Sequence, residues 1–164
     1  MSGNTPRTDV LLVCSAGGHL FQLVALRGAW EGFSRAWVTL DGSGARSLLA
    51  GEEVYFASGA TSRNMPKHLL AANLARNALL AVRLAHRLRP KVVLTTGSGL
   101  AVPFAWAGRL WGARVVYVES ITRITGPSAA YRLIAPVAER LYVQWPELAR
   151  SLRRARYAGN VFGS

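Results

Sequence analysis

Short apolar runs alternate with longer stretches of helical periodicity along the chain. A run that is apolar at nearly every position is typical of a strand buried on both faces, as in a parallel sheet covered by helices. The predicted strands are the run from Val10, then Arg35–Leu40, Glu53–Ala57, Lys91–Thr95, Arg114–Val118, Arg140–Val143 and Ala155–Ala158. The predicted helices are Leu20–Trp30, Ala45–Ala50, Lys67–Arg89, Ala101–Trp111, Ala129–Ala135 and Pro146–Leu152, with polar loops at Ser58–Pro66 and Thr122–Pro127. This alternation predicts one α/β domain over residues 1–164, built on a doubly wound parallel sheet.

The first apolar run breaks at Ser15-Ala-Gly-Gly-His19 and passes directly into helix-forming sequence. Gly17 and Gly18 allow positive φ and let a ligand come close to main-chain N–H groups. Because those groups stand beside the positive end of a helix dipole, the turn suits an anion or an electron-rich oxygen. His19 follows at the carboxyl edge of the strand, where an imidazole can act as a general base. The alternative is that His19 caps the helix or packs against the sheet.

Two further strand ends carry polar residues at the same edge of the predicted sheet. The fourth strand ends in Thr95-Thr-Gly-Ser-Gly99 and the fifth in Glu119-Ser120. In a doubly wound order the first and fourth strands are neighbours, so both glycine turns should face one crevice at the switch point. Glu119 could accept hydrogen bonds from substrate hydroxyls or orient a base. The alternative is that Glu119 caps a helix or pairs with Arg123.

The helix predicted at Lys67–Arg89 is amphipathic in an unusual way. Projected at about 100° per residue, the face expected on the sheet holds Leu70, Leu74, Ala81, Leu84 and Leu88. A second stripe holds Arg76, Arg83 and Arg87, with Leu69 and Leu80 among them. Leucine beside arginine on an outer face is the pattern of a helix that lies on a membrane surface. A helix sandwiched between the sheet and another helix is the alternative.

Composition narrows the class of partner. The chain has 20 Lys and Arg against 8 Asp and Glu, a formal net charge of +12, and 51% hydrophobic residues. This combination fits nucleic acid or an anionic membrane surface. Cys14 is the only cysteine, which excludes an intrachain disulfide and favours a small buried residue over a nucleophile. The polar stretch 1–8, predicted to be flexible, is no secretory signal, and no run approaches the roughly 18 apolar residues of a transmembrane helix.

Nucleotide binding by this chain alone is the weaker interpretation. Asp41, at the end of the second strand, lies near the place of a ribose-binding acid. However, the first turn is not G-x-G-x-x-G, and bulky His19 stands where a pyrophosphate needs room. No Walker lysine follows either glycine turn, and basic residues do not alternate with aromatic ones as a single-strand nucleic-acid groove requires. We therefore expect no nucleic-acid partner.

Five motifs together resemble one family: Ser15-x-Gly-Gly-His-Leu20, Thr95-Thr-Gly-Ser-Gly99, Tyr117-Val-Glu-Ser120, Val143-Gln-Trp-Pro-Glu147 and Tyr157-Ala-Gly-Asn160. They look like the acceptor-binding, membrane-docking subunit of split UDP-N-acetylglucosamine transferases. Eukaryotic members of that family work in asparagine-linked glycan synthesis on a dolichol carrier, and bacterial relatives of the PssD type work in exopolysaccharide assembly. The chain also resembles, more distantly, the amino-terminal half of the peptidoglycan transferase MurG. The resemblance covers nearly the whole chain in order.

What the resemblance implies is a Rossmann-like amino-terminal half of a GT-B glycosyltransferase, inverting and independent of metal or cofactor. A separate small subunit would bind the UDP-sugar, and this chain would hold a lipid-pyrophosphate-linked acceptor. His19 would be the base and Glu119 would orient the acceptor or the base. Acceptor or phosphate binding would involve Ser15, Gly17, Gly18, Thr96, Gly97, Ser98, Gly99 and Ser120. Membrane docking would use Arg76, Leu80, Arg83 and Arg87, in the region where MurG-like enzymes meet the bilayer.

The same resemblance implies a peripheral location on the cytoplasmic face of the inner membrane, with residues 159–164 as a contact for the partner. Eukaryotic members carry an amino-terminal transmembrane anchor, whereas only Met1–Thr8 precede the first strand here. Docking is therefore expected to rest on the amphipathic helix or on the partner. Two other interpretations stay open: a scaffold that recruits a donor-binding subunit without catalysing, and a self-sufficient nucleotide-binding enzyme.

Overall fold

The computed structural model describes residues 8–59 and 66–163, so most of the Ser58–Pro66 loop and residues 1–7 of the predicted flexible stretch 1–8 lie outside the described residues. Thr8 is buried, so the prediction is wrong for that residue. Within those ranges the strands are β1 (Val10–Val13), β2 (Arg35–Leu40), β3 (Val54–Ala57), β4 (Val92–Thr95), β5 (Arg114–Val118), β6 (Arg140–Val143) and β7 (Ala155–Tyr157). The helices are α1 (Gly18–Ala25), α2 (Arg27–Trp30), α3 (Ser43–Leu48), α4 (Lys67–Leu88), α5 (Ala101–Leu110), α6 (Ala129–Ile134) and α7 (Pro146–Ser151). Every predicted strand is present, with ends within one or two residues of the prediction.

The seven described strands form one sheet in the order β3-β2-β1-β4-β5-β6-β7, and every neighbouring pair is parallel. β1 lies between β2 and β4, so the chain winds outward from β1 in both directions and the strand order reverses at the β1–β4 boundary. All four residues of β1 are buried, as expected of a central strand covered on both faces. The predicted doubly wound, Rossmann-like α/β fold is confirmed.

Alternate residues of each strand feed two apolar cores, one on each face of the sheet. On one face Val93 and Val115 pack with α4, α5 and α6, and this core includes Leu84 and Phe104. On the other face the core gathers α1, α2 and α3 around Leu12 and Trp37, among other residues. The second core is smaller because those helices are short, and Val116 and Tyr142 at its margin are only partly buried.

One predicted helix is two in the structure. The sequence predicts a continuous helix over Leu20–Trp30, whereas α1 ends at Ala25 and α2 begins at Arg27. The Trp30 indole N–H donates to the Leu23 carbonyl at 2.9 Å, and its ring packs edge-on against Trp37 at 5.2 Å between centroids. Tertiary burial of this tryptophan therefore turns the chain where local propensity alone would continue the helix.

The core contact of α4 begins later than the sequence predicts. Leu74, assigned to the sheet-facing side, is 47% exposed, and Asn77 is the first buried residue of the helix. Asn77 accepts a hydrogen bond from the Ser58 N–H at 2.9 Å and donates to the Ser58 carbonyl at 2.8 Å, so the chain leaving β3 is clamped against the helix. The first half of α4 therefore extends beyond the core, and the prediction for Leu74 is wrong.

Candidate functional site

The two glycine turns meet at the carboxyl edge of the sheet. Val13 at the end of β1 pairs with Thr95 at the end of β4, which brings the turns that follow these strands side by side. The predicted neighbouring positions of the first and fourth strands at the switch point are confirmed, although the glycines of the first turn do not line the cavity described below. Gly17 adopts φ 79° immediately before α1, whereas Gly18 is the first residue of that helix and has no positive φ.

His19 is held from the neighbouring turn by Thr96. Its Nδ1 lies 2.9 Å from the Thr96 carbonyl oxygen, and the Thr96 hydroxyl donates to the His19 carbonyl at 2.7 Å. Because a carbonyl can only accept, Nδ1 carries the hydrogen in this bond. A neutral His19 ring then has its lone pair on Nε2. The Nδ1 bond fixes the ring orientation and the tautomer, and the hydroxyl bond ties the His19 main chain to the same turn. A fixed ring is what a general base requires.

The turn from β4 to α5 has a strained backbone. Gly97 has φ 93° and Ser98, which is not a glycine, has φ 101°. The Ser98 hydroxyl is buried with no hydrogen-bond partner among the described residues, and the main-chain N–H groups of Ser98, Gly99 and Leu100 likewise have no acceptor there. Strain and unsatisfied donors persist where a site is built for a ligand, and adjacent free N–H groups suit an anion. The turn can therefore bind phosphate or hydroxyl oxygens.

Glu119 is buried, with 1% of its surface exposed, and its carboxylate is already bonded. It accepts from the Tyr117 hydroxyl at 3.1 Å, from the Ser120 N–H at 2.9 Å and from the Ser128 N–H at 2.8 Å. Burial, reinforced by the charge of Glu119, raises the pKa of Tyr117 far above its usual range, so the phenol stays a donor. The structure therefore shows Glu119 fixing the β5–α6 loop, and His19 takes its orientation from Thr96 instead. The alternative ion pair with Arg123 is absent from the described residues.

A cavity of about 220 Å³ collects the candidate residues. The predicted residues that line it are His19, Ser98, Gly99, Glu119 and Ser120. Sequence reasoning did not assign the others: Thr122, Arg123, Ser128, Ala129 and Ala130. They come from the loop after β5, whose polar composition was the only available signal, and from the first two residues of α6. The lining thus combines one imidazole, one guanidinium, several hydroxyl groups and the Glu119 carboxylate, whose oxygens are bonded to Tyr117, Ser120 and Ser128. Such a set can bind a sugar or a diphosphate.

Five other candidate residues do not line this cavity. Thr96 and Gly97 are fully buried behind it, where Thr96 bonds His19. Ser15 and Gly17 lie in the turn before α1 and Gly18 is its first residue; Gly17 and Gly18 are exposed and Ser15 is half-buried. A larger cavity, about 370 Å³, lies elsewhere, between α2 and the β4–β6 face, and its lining is mostly aliphatic.

Two rival site assignments find no support in the geometry. Asp41 is paired with Arg46 through bonds of 2.7 and 2.8 Å, and this pairing lowers the pKa of its carboxyl. Both oxygens of that carboxylate are therefore already bonded to Arg46 and are not free to bind a ribose. Burial raises the pKa of the Cys14 thiol to about 12, so it is protonated at neutral pH and a poor nucleophile. Among the described residues no group of three or more His, Cys, Asp or Glu side chains could hold a metal ion.

The membrane-docking residues divide by exposure. Arg76, Arg83 and Arg87 are exposed along α4, whereas Leu80 is half-buried and packs against the core. The exposed apolar residues of α4 are Leu69, Leu74, Leu79 and Val82. In the residues that the structure describes, no helix is both long enough and apolar enough to cross a bilayer.

Comparisons with known proteins show which sequences the chain resembles. The family model described as "Oligosaccharide biosynthesis protein Alg14 like" matches residues 46–161. A UDP-N-acetylglucosamine transferase subunit ALG14 from Eremothecium gossypii is 38% identical over 118 residues, which cover 68% of this chain and 51% of that protein. The ALG14 subunit from Debaryomyces hansenii is 25% identical, with 93% of this chain and 75% of that protein covered. The chain thus spans about half to three quarters of the length of these curated relatives.

Solved structures show the same fold. MurG from Acinetobacter baumannii superposes with a TM-score of 0.72 at 17% identity, covering 92% of this chain and 45% of that one. The UDP-N-acetylglucosamine 2-epimerase from Rickettsia bellii gives a TM-score of 0.68 at 11% identity, with 94% and 45% covered. The fold therefore corresponds to slightly less than half of each of these chains, which is consistent with the predicted GT-B half.

Proposed function

The chain belongs to the Alg14 family, and from that membership we propose that it is the acceptor-binding, membrane-associating subunit of a two-component glycosyltransferase. The relatives are named as UDP-N-acetylglucosamine transferase subunits, which supports both the sugar class and a partner. We place the UDP-sugar on that partner and the acceptor, a lipid-linked diphosphate, in the cavity beside His19. The exit segment, residues 159–163, is our candidate for contact with the partner.

The observation that carries this proposal is the fixed orientation of His19. With Nδ1 donating to the Thr96 carbonyl, Nε2 is the ring atom left to accept a proton. In the proposed step the acceptor hydroxyl gives its proton to His19 as its oxygen attacks the anomeric carbon of the UDP-sugar. The bond from that carbon to the UDP oxygen breaks, UDP leaves with the electron pair, and the configuration at the carbon is inverted. A general base positioned in this way accelerates a reaction about 10²–10⁴-fold.

The diphosphate of the acceptor finds donors in two neighbouring loops. The Ser98 hydroxyl and the N–H groups of Ser98–Leu100 are unsatisfied among the described residues, and Arg123 adds a positive charge to the lining of the same cavity. Backbone N–H groups and guanidinium are the usual partners of phosphate oxygens. We assign Glu119 the indirect task of holding Ser120 and Ser128 in the loop that carries Arg123.

We propose that the outer faces of α4, α5 and α6 lie on an anionic membrane surface. No acidic residue occurs between Val54 and Val118, a stretch that contains α4 and α5. Besides the arginines of α4, this layer exposes Trp106, Leu110 and Trp111, which are 42%, 75% and 38% accessible. Tryptophan at a water–lipid boundary and arginine facing anionic headgroups are both favourable. Because Leu80 packs against the core, the apolar contact would come from these α5 residues together with the exposed apolar residues of α4.

Activity tests the catalytic half of the proposal. The tagged chain, purified from its native membranes with any bound donor subunit, is supplied with radiolabelled UDP-N-acetylglucosamine and a polyprenyl-diphosphate sugar acceptor. We expect His19→Ala to lower kcat by at least about a hundredfold, while Arg153→Ala, an exposed change between α7 and β7, leaves it unchanged. If the His19→Ala protein keeps full turnover and still binds its partner, the chain is a scaffold and the base assignment is wrong.

Vesicle sedimentation tests the membrane half separately. Changing Arg76, Arg83 and Arg87 to Gln should weaken binding to vesicles containing anionic lipid about a hundredfold, since each arginine contributes about 1 kcal/mol. Changing Arg150, Arg153 and Arg156 to Gln removes the same charge from another exposed surface and should change binding far less. Equal losses for the two triple variants would show that binding follows net charge and has no defined face.

A further inference from the structure

Two buried glutamine side chains join segments that are distant in sequence. Gln22 on α1 is 3% exposed and Gln144, directly after β6, is 2% exposed. The Gln144 Nε2 donates to the Gln22 Oε1 at 2.8 Å across a separation of 122 residues. A buried amide is costly unless its donors and acceptors are satisfied, so the pair is a defined link and its geometry is specified by its partners.

The bonds of this pair to main-chain groups reach the start of α1, the loop after β5 and the exit segment. Gln22 donates to the Gly18 carbonyl at 3.1 Å and accepts from the Ile121 N–H at 2.9 Å. Gln144 donates to the Glu119 carbonyl at 2.9 Å and accepts from the Val161 N–H at 3.1 Å. Because main-chain N–H groups can only donate and carbonyls only accept, these partners also fix which end of each amide is oxygen.

The chain of bonds ends at the peptide that carries His19. The Gly18 carbonyl belongs to the peptide group that joins Gly18 to His19, so Gln22 restrains the first turn of α1 from one side. Thr96 restrains His19 from the other side. At the far end, the Val161 N–H lies in the exit segment, after β7. An unbroken series of hydrogen bonds therefore runs from Val161 through Gln144 and Gln22 to the residue before His19.

We propose that Gln22 and Gln144 are positioning residues, which make the placement of the His19 ring depend on the conformation of the exit segment around Val161. The inference rests on the proposed function in so far as His19 acts as the base and the exit segment contacts the partner subunit. The polar link also ties the two walls of the cavity together, because Gln22 holds Ile121 of the β5–α6 loop as well as α1. Losing it would let these walls move apart by a fraction of an ångström. Displacement on that scale slows a reaction without abolishing substrate binding.

The test reads His19 directly. The chain has three histidines, and two of them, His68 and His86, are exposed on α4 and serve as internal references. In the ¹⁵N-histidine-labelled chain, Gln144→Met and Gln22→Met should shift the ring resonances of His19 and leave the reference signals in place. Asn77→Leu is the matched control, since it also removes a buried amide with two main-chain bonds but lies on α4, away from His19.

The role of the exit segment is tested by removing the Val161 N–H group. Val161→Pro removes the donor that Gln144 accepts, and we expect it to shift the His19 signals in the same direction as Gln144→Met. Val161→Ala keeps the N–H group and should leave those signals unchanged. In the complex with the donor subunit, Gln144→Met should lower kcat about tenfold with the acceptor KM changed less than about twofold.

The inference is overturned if Gln22→Met and Gln144→Met both leave the His19 resonances unchanged, or if Asn77→Leu moves them equally. Should Gln144→Met fail to fold, Val161→Pro breaks the outer bond of the link without changing a buried side-chain amide, and the same comparison applies. If His19→Ala proves fully active, the base assignment fails, yet the resonance shifts still decide whether the link exists. The two failures are therefore distinguishable.

Discussion

Replacing Gly97 by alanine should destabilise the chain through one identifiable contact. The residue has φ 93°, and an added Cβ would lie 2.9 Å from the Tyr117 hydroxyl oxygen. Tyr117 is completely buried and bonded to Glu119 and Ser128, so its ring has little room to retreat. The same Cβ would lie 3.6 Å from His19 Cε1, an ordinary contact. The strain should therefore fall on the tyrosine.

The expected loss of unfolding free energy in Gly97→Ala has two parts. Placing an L-residue at positive φ costs about 1–2 kcal/mol, partly offset because alanine reduces the entropy of the unfolded chain. Displacing the phenol weakens a hydrogen bond to a buried carboxylate, which is worth about 1.5–3 kcal/mol. We therefore expect Gly97→Ala to lower the free energy of unfolding by about 2–4 kcal/mol. Gly51→Ala, at φ 85° with open space around it, should show only the backbone part.

Urea unfolding followed by circular dichroism measures both variants by linear extrapolation. A cycle with Tyr117→Phe isolates the contact, since removing the hydroxyl leaves Cζ, 3.5 Å from the added Cβ, as the nearest atom of that ring. The cost of Gly97→Ala should then fall to about that of Gly51→Ala. The reasoning is refuted if the two glycine variants are equally stable in the native-tyrosine background, or if Tyr117→Phe leaves the difference between them unchanged.

Three further outcomes are expected. Gly108→Ala should lower the free energy of unfolding, measured in urea, by about 1–3 kcal/mol, although alanine favours helices more than glycine does. The added Cβ would lie 2.5 Å from Val93 Cγ2, so Val93→Ala should relieve much of that loss. Glu52→Gln should cost about 1 kcal/mol at pH 7. The hydrogen bond with Arg35 lowers the pKa of Glu52 in the folded chain. The stability that this bond contributes is therefore present at pH values above the usual carboxylate pKa and is lost as the pH falls through the lowered pKa. Measuring the free energy of unfolding of both proteins against pH checks this. Iodoacetamide at pH 8 should alkylate Cys14 at least about a hundredfold faster in the urea-unfolded chain than in the native one, by mass spectrometry, because burial raises its folded pKa to about 12.

The positions of the strands and helices could be predicted because each depends on residues that are close together in the sequence. A central parallel strand must be apolar on both faces, and the run from Val10 meets that requirement within four residues. The neighbouring positions of β1 and β4 followed from the topological rule for doubly wound sheets. The break at Leu26 could not be predicted in this way, because it depends on where Trp30 finds its partners in the folded core.

Helical periodicity shows which side of α4 is apolar, although it cannot show where the neighbouring elements stop. Leu74 satisfies the pattern and is nonetheless 47% exposed, while polar Asn77 is buried because Ser58 meets both ends of its amide. Leu80 shows the reverse case, since it lies in the arginine stripe and still packs against the core. The assignment of α4 to a membrane surface stays a prediction, as does the likeness to PssD-type proteins.

By itself, the sequence determined the fold class, the family through its ordered motifs, and the turns at which chemistry is concentrated, because these depend on residue types at short spacing. Only the tertiary structure decided what those residues do to one another. Thr96 orients His19 across 77 residues, and Gln144 meets Gln22 across 122. Glu119 lies at a strand end, where a carboxylate suggests a catalytic role. In the structure its oxygens accept hydrogen bonds from Tyr117, Ser120 and Ser128. Such bonds require two distant segments to be placed within about 3 Å, and no local pattern encodes that distance.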